Sequence, residues 1–250
     1  MELKDLHNLY SEIQGARELK LKSRLAKKFG QSVKWSGVGD EALFDRVESD
    51  LLTQNIEPTR TTKGKYREYY SWMLQSLAYS GIEKYKQTIV KFFDEKKYEQ
   101  KITRHAEASL KVIDDFAKWN SEINRGLKGV SYDQLAKSRN INLINSGVPQ
   151  LQRVGARLAI EKLKAGSGMD LMDLIEQRLL VLFTKTEGRR MELDAVSWMC
   201  RALGESSNKK YVATLERVEA ESDDGPVRNW AGKSITKLTG LSRAGRKIRR

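Results

Sequence analysis

An ordered set of residues occurs twice in this chain, and this echo constrains its fold more than any other feature. Ser71-Trp72-Met73 begins the first copy and Ser197-Trp198-Met199 begins the second, about 126 residues later. The same residue types follow in each copy: Leu77, Lys84-Tyr85, Thr88-Ile89 and Ala106 in the first, and Leu203, Lys210-Tyr211, Thr214-Leu215 and Ala231 in the second. We infer an internal duplication of about 126 residues.

Two further segments extend the echo towards the beginning of each half. Arg24-Leu25-Ala26 matches Arg157-Leu158-Ala159. Residues 44–52 match residues 172–180 in the pattern apolar-Asp-x-apolar-Glu-x-x-Leu-Leu. Each half is therefore expected to carry a similar series of secondary-structure elements.

Apolar residues recur at helical spacing through most of the chain, and no segment alternates long enough to indicate a sheet. Only three prolines occur, at positions 58, 149 and 226, which is compatible with long uninterrupted helices. The predicted fold class is therefore all-α. The predicted helices are one or two within 3–29, then 41–54, 65–79, 82–95, 101–119, 132–138, 149–165, 170–183, 189–203, 208–221 and 226–238.

The helices group into two halves with a looser segment between them. We predict an N-terminal helical half at 1–125 and a C-terminal helical half at 149–240. Residues 126–148 contain several glycines and asparagines and are predicted to form a loose junction. Residues 241–250 form a basic tail.

The segment from Asp223 to Leu238 resembles the first helix of a HEAT repeat. Asp223-Asp224-Gly225-Pro226-Val227-Arg228 is followed by Ala231, Ile235 and Leu238 at helical spacing. Proline at the first helical position loses only an amide that has no partner there. The resemblance covers most of 63–120 and 149–240, and it implies a right-handed α-solenoid of HEAT-like helical pairs. A compact helical bundle with an accidental echo is the alternative.

HEAT-like solenoids usually bind a partner on an extended concave surface. The resemblance therefore implies a non-enzymatic scaffold for a protein partner. Lysine and arginine number 46 against 33 aspartate and glutamate, a net charge of +13, so we expect the partner's surface to be acidic. Nucleic acid is the alternative partner.

Two segments concentrate basic residues that an anionic partner would contact. Residues 129–165 hold six cations and two acids, and Arg153 and Arg157 lie one turn apart on one helical face. The last ten residues hold five cations and no acid. A solvated helix face and a solvated chain end are the alternative interpretations. The predicted contact residues are Arg153, Arg157, Lys164, Arg243, Arg246, Lys247, Arg249 and Arg250.

One enzyme class is built on a similar scaffold. HEAT-like DNA glycosylases that excise alkylated bases are basic, of about this length, and use a catalytic aspartate flanked by aromatic residues. Asp115 stands four residues before Trp119, and Asp194 stands four before Trp198. No diagnostic motif aligns with this class. Trp72 and Trp198 are instead predicted to pack in the repeat framework.

Other signatures of catalysis are almost absent. The two histidines, His7 and His105, lie far apart, and Cys200 is the only cysteine, which excludes a disulfide within the chain and a cysteine-based zinc cluster. His105 is expected on a basic solvated face. No phosphate-binding loop motif occurs, so we predict no cofactor, no metal and no catalytic residue. The beginning of the chain does not match a signal peptide and no apolar run approaches about 20 residues, so we expect a cytoplasmic protein without a transmembrane segment.

Overall fold

The computed structural model describes residues 3–53, 63–94, 98–187 and 189–241. Within these ranges every regular element is a helix and there is no strand, which confirms the prediction of an all-α protein. The chain divides into two compact units, residues 1–128 and 129–250.

The described part of each unit contains six α-helices. In the first unit they are α1 Leu3–Gly15, α2 Leu19–Val33, α3 Glu41–Thr53, α4 Lys63–Ser80, α5 Lys86–Val90 and α6 Gln100–Ile123. In the second they are α7 Tyr132–Asn145, α8 Pro149–Lys164, α9 Met169–Leu182, α10 Arg190–Glu205, α11 Val212–Glu221 and α12 Gly225–Thr239. Short 3₁₀ turns at Glu83–Tyr85 and Lys91–Phe93 flank α5, and another at Lys209–Tyr211 precedes α11.

The helices of each unit pack in the same order. In the first unit α2, α4 and α6 lie side by side, and each of α1, α3 and α5 packs on the helix that follows it. In the second unit α8, α10 and α12 lie side by side, and α7, α9 and α11 pack on them in the same way. Each unit is therefore a set of three consecutive helical pairs, with the even-numbered helices forming one layer.

The two cores differ in composition. Tilted aromatic rings run through the first core, where the Phe29 ring centroid lies 5.4 Å from Tyr10 and 6.4 Å from Phe44. The second core is mainly aliphatic, and it encloses Met172 and Cys200 completely. Burial raises the pKa of the Cys200 thiol to about 12, so the thiol stays protonated at neutral pH.

Several residues of the sequence echo form one polar cluster in each unit. The Tyr85 hydroxyl donates to Asp45 on α3 at 2.8 Å, and the Lys84 ammonium lies 2.8 Å from the same carboxylate. Thr88 also donates to Glu48 on α3. The carboxylate is stabilised as an anion by hydrogen bonds from Lys84 and then Tyr85, which lower the pKa of Asp45.

The second unit repeats these contacts. The Tyr211 hydroxyl donates to Asp173 on α9 at 2.6 Å, and Lys210 lies 2.6 Å from Asp173. Thr214 donates to Glu176 at 2.5 Å. Hydrogen bonds from Lys210 and then Tyr211 lower the pKa of Asp173. This part of the echo therefore connects α3 to the segment after α4, and α9 to the segment after α10.

The turn after the central helix is also repeated. The hydroxyls of Ser80 and Ser206 each accept from the backbone amide two residues later, at 3.2 Å. The next residue has a positive φ in both units, 68° at Gly81 and 56° at Ser207. A Cβ added to Gly81 would lie 2.6 Å from the backbone nitrogen of Ala117 on α6, so only glycine fits there, whereas Ser207 is exposed.

The largest differences from the sequence-based helix predictions concern three segments. Where one helix over 82–95 is predicted, the described residues form the 3₁₀ turn Glu83–Tyr85, the short α5 and the 3₁₀ turn Lys91–Phe93. Residue 95 lies outside the described residues. The predicted helix over 208–221 likewise begins with a 3₁₀ turn at Lys209–Tyr211. Helix α7 is two turns longer than predicted because Asn140, Leu143 and Ile144 are buried, although asparagine by itself favours a loop. None of the helices in the described ranges is long and apolar enough to cross a membrane.

Candidate functional site

The layer formed by α8, α10 and α12 presents a row of alternating cations and tryptophans. The guanidinium carbons of Arg157 and Arg201 lie 5.4 and 4.5 Å from the ring centroid of Trp198. Arg201 is also 5.7 Å from the ring of Trp230, and the Lys233 ammonium is 4.8 Å from that ring. We call these five residues the cation–tryptophan row.

The row follows from helical spacing on neighbouring helices. Trp198 and Arg201 stand three residues apart on α10, and Trp230 and Lys233 stand three apart on α12, so each pair shares a helix face. Both tryptophans pack partly on the core of the second unit and are partly exposed, while Arg157 and Lys233 are exposed. A cation within about 6 Å of an indole face is attracted by the ring's quadrupole, which holds the row in place.

Ion pairs flank the row and mix the two signs of charge. Arg153 Nε on α8 lies 2.8 Å from the Asp194 carboxylate on α10. Glu205 on α10 lies 2.6 Å from the Lys237 ammonium on α12 and 3.9 Å from Arg201 Nε. The surface is therefore basic at its tryptophans but carries carboxylates at its edges.

The structure brings together only some of the residues predicted to contact an anionic partner. Arg157 belongs to the row, and Arg153 lies beside it in the ion pair with Asp194. Lys164 is exposed at the end of α8, about 10 Å from Arg157 along the helix axis, outside the row. The other predicted residues lie outside the described residues: Arg243, Arg246, Lys247, Arg249 and Arg250.

The two aspartates considered as catalytic candidates stand in different settings. Asp194 is held by Arg153. Asp115 is exposed on α6, and the nearby Trp119 ring packs 4.8 Å from Phe116 and 5.5 Å from Trp35.

His105 is half-buried rather than on a solvated face. Its Nδ1 lies 3.2 Å from Gln75 Nε2, and Gln75 in turn accepts from the Tyr79 hydroxyl at 3.0 Å. Burial, followed by the nearby Lys101 charge, lowers the pKa of His105. The neutral imidazole is therefore the form that this layer favours.

A groove lies between α2 and α4 in the first unit. Its volume is about 630 Å³. The lining residues are Glu18, Lys20, Leu21, Ser23, Arg24, Lys27, Lys65, Glu68 and Trp72. We call it the α2/α4 groove. Trp72 stays partly exposed, and Gly30 provides room for its ring, since a Cβ there would lie 2.8 Å from the indole.

The cations of the α2/α4 groove are mostly uncompensated. Within the described residues, no carboxylate pairs with Lys20, Arg24 or Lys27, and all three are exposed. Glu68, by contrast, binds Lys65 at 2.8 Å and accepts from Ser23 at 2.9 Å. The hydrogen bond from Lys65 is the main reason that the pKa of Glu68 lies below its ordinary value.

The sequence carries signals for both surfaces. Helix α2 carries five cations and no carboxylate, and Lys20, Arg24 and Lys27 recur at the spacing of one helix face. Trp198 and Trp230 are each followed three residues later by a cation. Sequence position alone does not show which helices pack side by side. Each surface forms only because its helices are neighbours in the fold.

The described residues contain no group of three or more histidine, cysteine, aspartate or glutamate side chains that is arranged to hold a metal ion. Comparison with protein-family models, with curated proteins and with solved structures found no match for this chain.

Proposed function

We propose that this protein is a non-enzymatic helical scaffold that binds an acidic surface of a protein partner at the cation–tryptophan row. The observation that carries this proposal is the position of Trp198 and Trp230 on one helical layer, each partly exposed and each bordered by cations. Tryptophan and arginine are the residues most enriched among those that dominate protein–protein binding energy. Partly exposed tryptophan rings, each with an arginine or lysine charge close by, suit such a role.

The mixed charges around the row favour a protein over a nucleic acid. Asp194 and Glu205 place carboxylates beside Arg153, Arg201 and Lys237. Phosphates along a nucleic acid would be repelled by these carboxylates. A protein surface can instead place cations of its own against them, which improves specificity and the rate of association.

We also propose that each unit is a module of three HEAT-like pairs and that the two modules arose by internal duplication. The matched contacts of Tyr85 with Asp45 and of Tyr211 with Asp173 support this, as does the common order of helix packing. The turns at Ser80 and Ser206 add a third match. Chance resemblance would have to reproduce residue types, spacing and contacts together.

The experiment is capture of a partner by the full chain from its native cells after nuclease treatment. We expect one stoichiometric polypeptide, and we expect Arg157→Glu to reduce its recovery at least tenfold, since burying a like charge against an acidic partner costs more than about 1.4 kcal/mol. Lys164→Glu makes the same charge change on the same helix outside the row. It should retain the partner.

Two outcomes would contradict the proposal. Equal recovery with Arg157→Glu and with the unaltered chain would show that the row is not the contact surface. Loss of all bound protein on nuclease treatment would show that nucleic acid mediates the association. Far-UV circular dichroism of each variant checks that the helices remain folded.

Nucleic-acid binding is the second candidate function, and the net charge of +13 with exposed Arg157 favours it. Binding to duplex DNA should then fall steeply as salt rises, because phosphate contacts release counterions. Charge reversal at Arg153, Arg157 and the five cations of the tail should weaken it further. Absence of duplex binding at low salt would eliminate this candidate.

A glycosylase-like activity is the enzymatic form of the second candidate. Asp194 stands beside Trp198 on α10, as a catalytic aspartate beside an aromatic ring would. The Arg153 ion pair already occupies that carboxylate, which is why we place this activity second. Release of alkylated bases from duplex DNA, measured for the unaltered chain and for Asp115→Asn and Asp194→Asn, tests it directly.

A further inference from the structure

We propose that the α2/α4 groove of the first unit is a binding site for a nucleotide, with its base against Trp72 and its phosphates against Lys20, Arg24 and Lys27. The same chemistry occurs in a free nucleotide and in one nucleotide of a single-stranded nucleic acid. This inference is independent of the proposed function, because the cation–tryptophan row and the groove belong to different units and share no residue.

The charge of the groove selects an anion. Lys20, Arg24 and Lys27 lie on one face of α2 at intervals of four and three residues, which spans about 10 Å along the helix axis. None of them has a carboxylate partner among the described residues. Successive phosphates or a triphosphate chain would place negative charge along such a stripe without displacing an existing ion pair.

The aromatic side of the groove selects a planar group. Trp72 lines the groove from α4 and is partly exposed, although its ring also packs on the core of the first unit. Base–aromatic stacking is worth about 1–3 kcal/mol per base and tolerates any base. Simple anions and acidic peptides lack the flat ring that would use this surface.

The carboxylates of the groove do not cancel this charge. Glu68 is already compensated by Lys65 and by the Ser23 hydroxyl. Glu18 stands immediately before α2 and is the one lining carboxylate that remains. A carboxylate accepts hydrogen bonds from a sugar hydroxyl or an exocyclic amine, so it suits the nucleoside part of the ligand rather than its phosphates.

The experiment measures binding of four probes to the full chain by titration calorimetry and tryptophan fluorescence. The probes are adenosine triphosphate, a single-stranded oligothymidylate of ten nucleotides, inorganic triphosphate and polyglutamate. We expect the nucleotide or the oligothymidylate to bind at least tenfold more tightly than inorganic triphosphate and polyglutamate. Which of the first two binds more tightly identifies the source of the ligand.

Two adjacent lysines on α2 provide a matched pair of variants. Lys27 lines the groove and Lys28 does not, and both are exposed. We expect Lys27→Gln and Arg24→Gln each to weaken nucleotide binding by about tenfold, as loss of a charged hydrogen bond does. Lys28→Gln should leave affinity within twofold. With oligothymidylate, each groove variant should also reduce the salt slope by about 0.7.

Trp72→Phe retains an aromatic ring and should keep binding while removing the fluorescence change that the ligand causes. Trp72→Ala should weaken binding by about tenfold or more, and its urea midpoint shows whether the first unit stays folded. The proposal is overturned if inorganic triphosphate or polyglutamate binds as tightly as the nucleotides, if Lys28→Gln weakens binding as much as Lys27→Gln, or if no probe binds at low salt.

Discussion

The two units place a tryptophan at matched positions on their central helices but surround it with different side chains. Trp72 on α4 has Gln75 three residues later, and Trp198 on α10 has Arg201 there. On the next even-numbered helix, His105 of the first unit stands where the second has Trp230. The offset of 126 residues on the central helix falls to 125 here, as it does at the neighbouring Ala106 and Ala231.

The two units share the residues that connect their helices but differ in some residues that face outwards. Residues that tie helices together, such as Tyr85 and Tyr211 with their aspartates, have the same chemistry in both units. Residues that face outwards from the even-numbered layer are preserved only in part: Arg24 matches Arg157, but Gln75 and His105 stand where the second unit has Arg201 and Trp230. The first unit has a neutral, hydrogen-bonded Gln75–His105 pair there, and the second has a basic row. The two units therefore share a helical frame but carry different side chains and charge on this layer.

The largest expected effect comes from the turn that both units share. Gly81→Ala should destabilise the first unit by about 3 kcal/mol, because a left-handed backbone costs an L-residue about 1–2 kcal/mol and the new Cβ meets the α6 backbone. Ser207→Gly should instead stabilise the second unit by about 0.5 kcal/mol, as its positive φ is relieved and its site is exposed. Urea denaturation followed by circular dichroism measures both changes. Because the two substitutions are opposite in kind, they should change the free energy of unfolding in opposite directions. A change in the same direction would mean that the two turns do not share a left-handed residue.

Converting the surface of the second unit to that of the first should remove partner binding without unfolding the chain. Arg201→Gln combined with Trp230→His introduces the side chains that the first unit already accommodates at the matched positions. We expect partner affinity to fall about 30-fold or more, as it does when residues that dominate an interface are lost. Surface plasmon resonance against the captured partner measures this. Unchanged affinity would mean that the difference between the layers is not functional.

The hydroxyls of Tyr85 and Tyr211 should contribute similar free energies of unfolding to their units. Tyr85→Phe and Tyr211→Phe each remove a hydroxyl that donates to a carboxylate, and we expect each to cost about 1–2 kcal/mol. Tyr66→Phe is the control, because its hydroxyl has no hydrogen-bond partner among the described residues, and it should change stability by less than about 0.5 kcal/mol. A cost confined to one unit would show that the two clusters are not equivalent.

Acid should weaken both units in the same pH window. The pKa values of Asp45 and Asp173 are lower in the folded chain than in an unfolded one, so their stabilisation is complete above the ordinary aspartate value of about 3.9. It is lost as the pH falls below that value through the folded pKa. Thermal melting between pH 6 and 3 should therefore show a decline that Asp45→Asn and Asp173→Asn each reduce. No reduction with either variant would contradict the assignment.

The smallest expected effect is specific to the first unit. Because burial lowers the pKa of His105, an unfolded chain binds more protons than the folded one just below the ordinary histidine value of about 6.5. Stability should be complete above this value and decrease as the pH falls through it. His105→Gln should reduce the dependence of the melting temperature on pH between pH 7 and 5. Trp230 at the matched position does not titrate, so the same substitution there should leave that slope unchanged.

The sequence predicted the helices well where the apolar spacing was regular and less well where local signals competed with packing. Helix α8 was predicted to begin at Pro149, as it does, because proline fixes the first turn. Asn140 favours a loop by its local preference, but its burial among helices outweighs that preference. The 3₁₀ turns beside α5 have the same residue pattern as an α-helix, so periodicity alone does not distinguish them.

The candidate surfaces were less predictable than the fold. Arg153 and Arg157 were identified because they stand one turn apart on a single helix. Arg201, Trp230 and Lys233 join them only because α10 lies beside both α8 and α12, which a linear pattern does not encode. The groove is not evident from the sequence for the same reason: its unpaired cations come from α2 and its tryptophan from α4.

The reactivity of the single cysteine provides a measure of how often the second unit opens. Cys200 is the only thiol in the sequence, it has no exposed surface, and its pKa of about 12 leaves almost no reactive thiolate while it stays enclosed. A thiol reagent can modify it only when α10 separates from its neighbours. The rate of modification therefore reports how often this unit opens, without any engineered label, and a bound partner that clamps the α8, α10 and α12 layer would slow it.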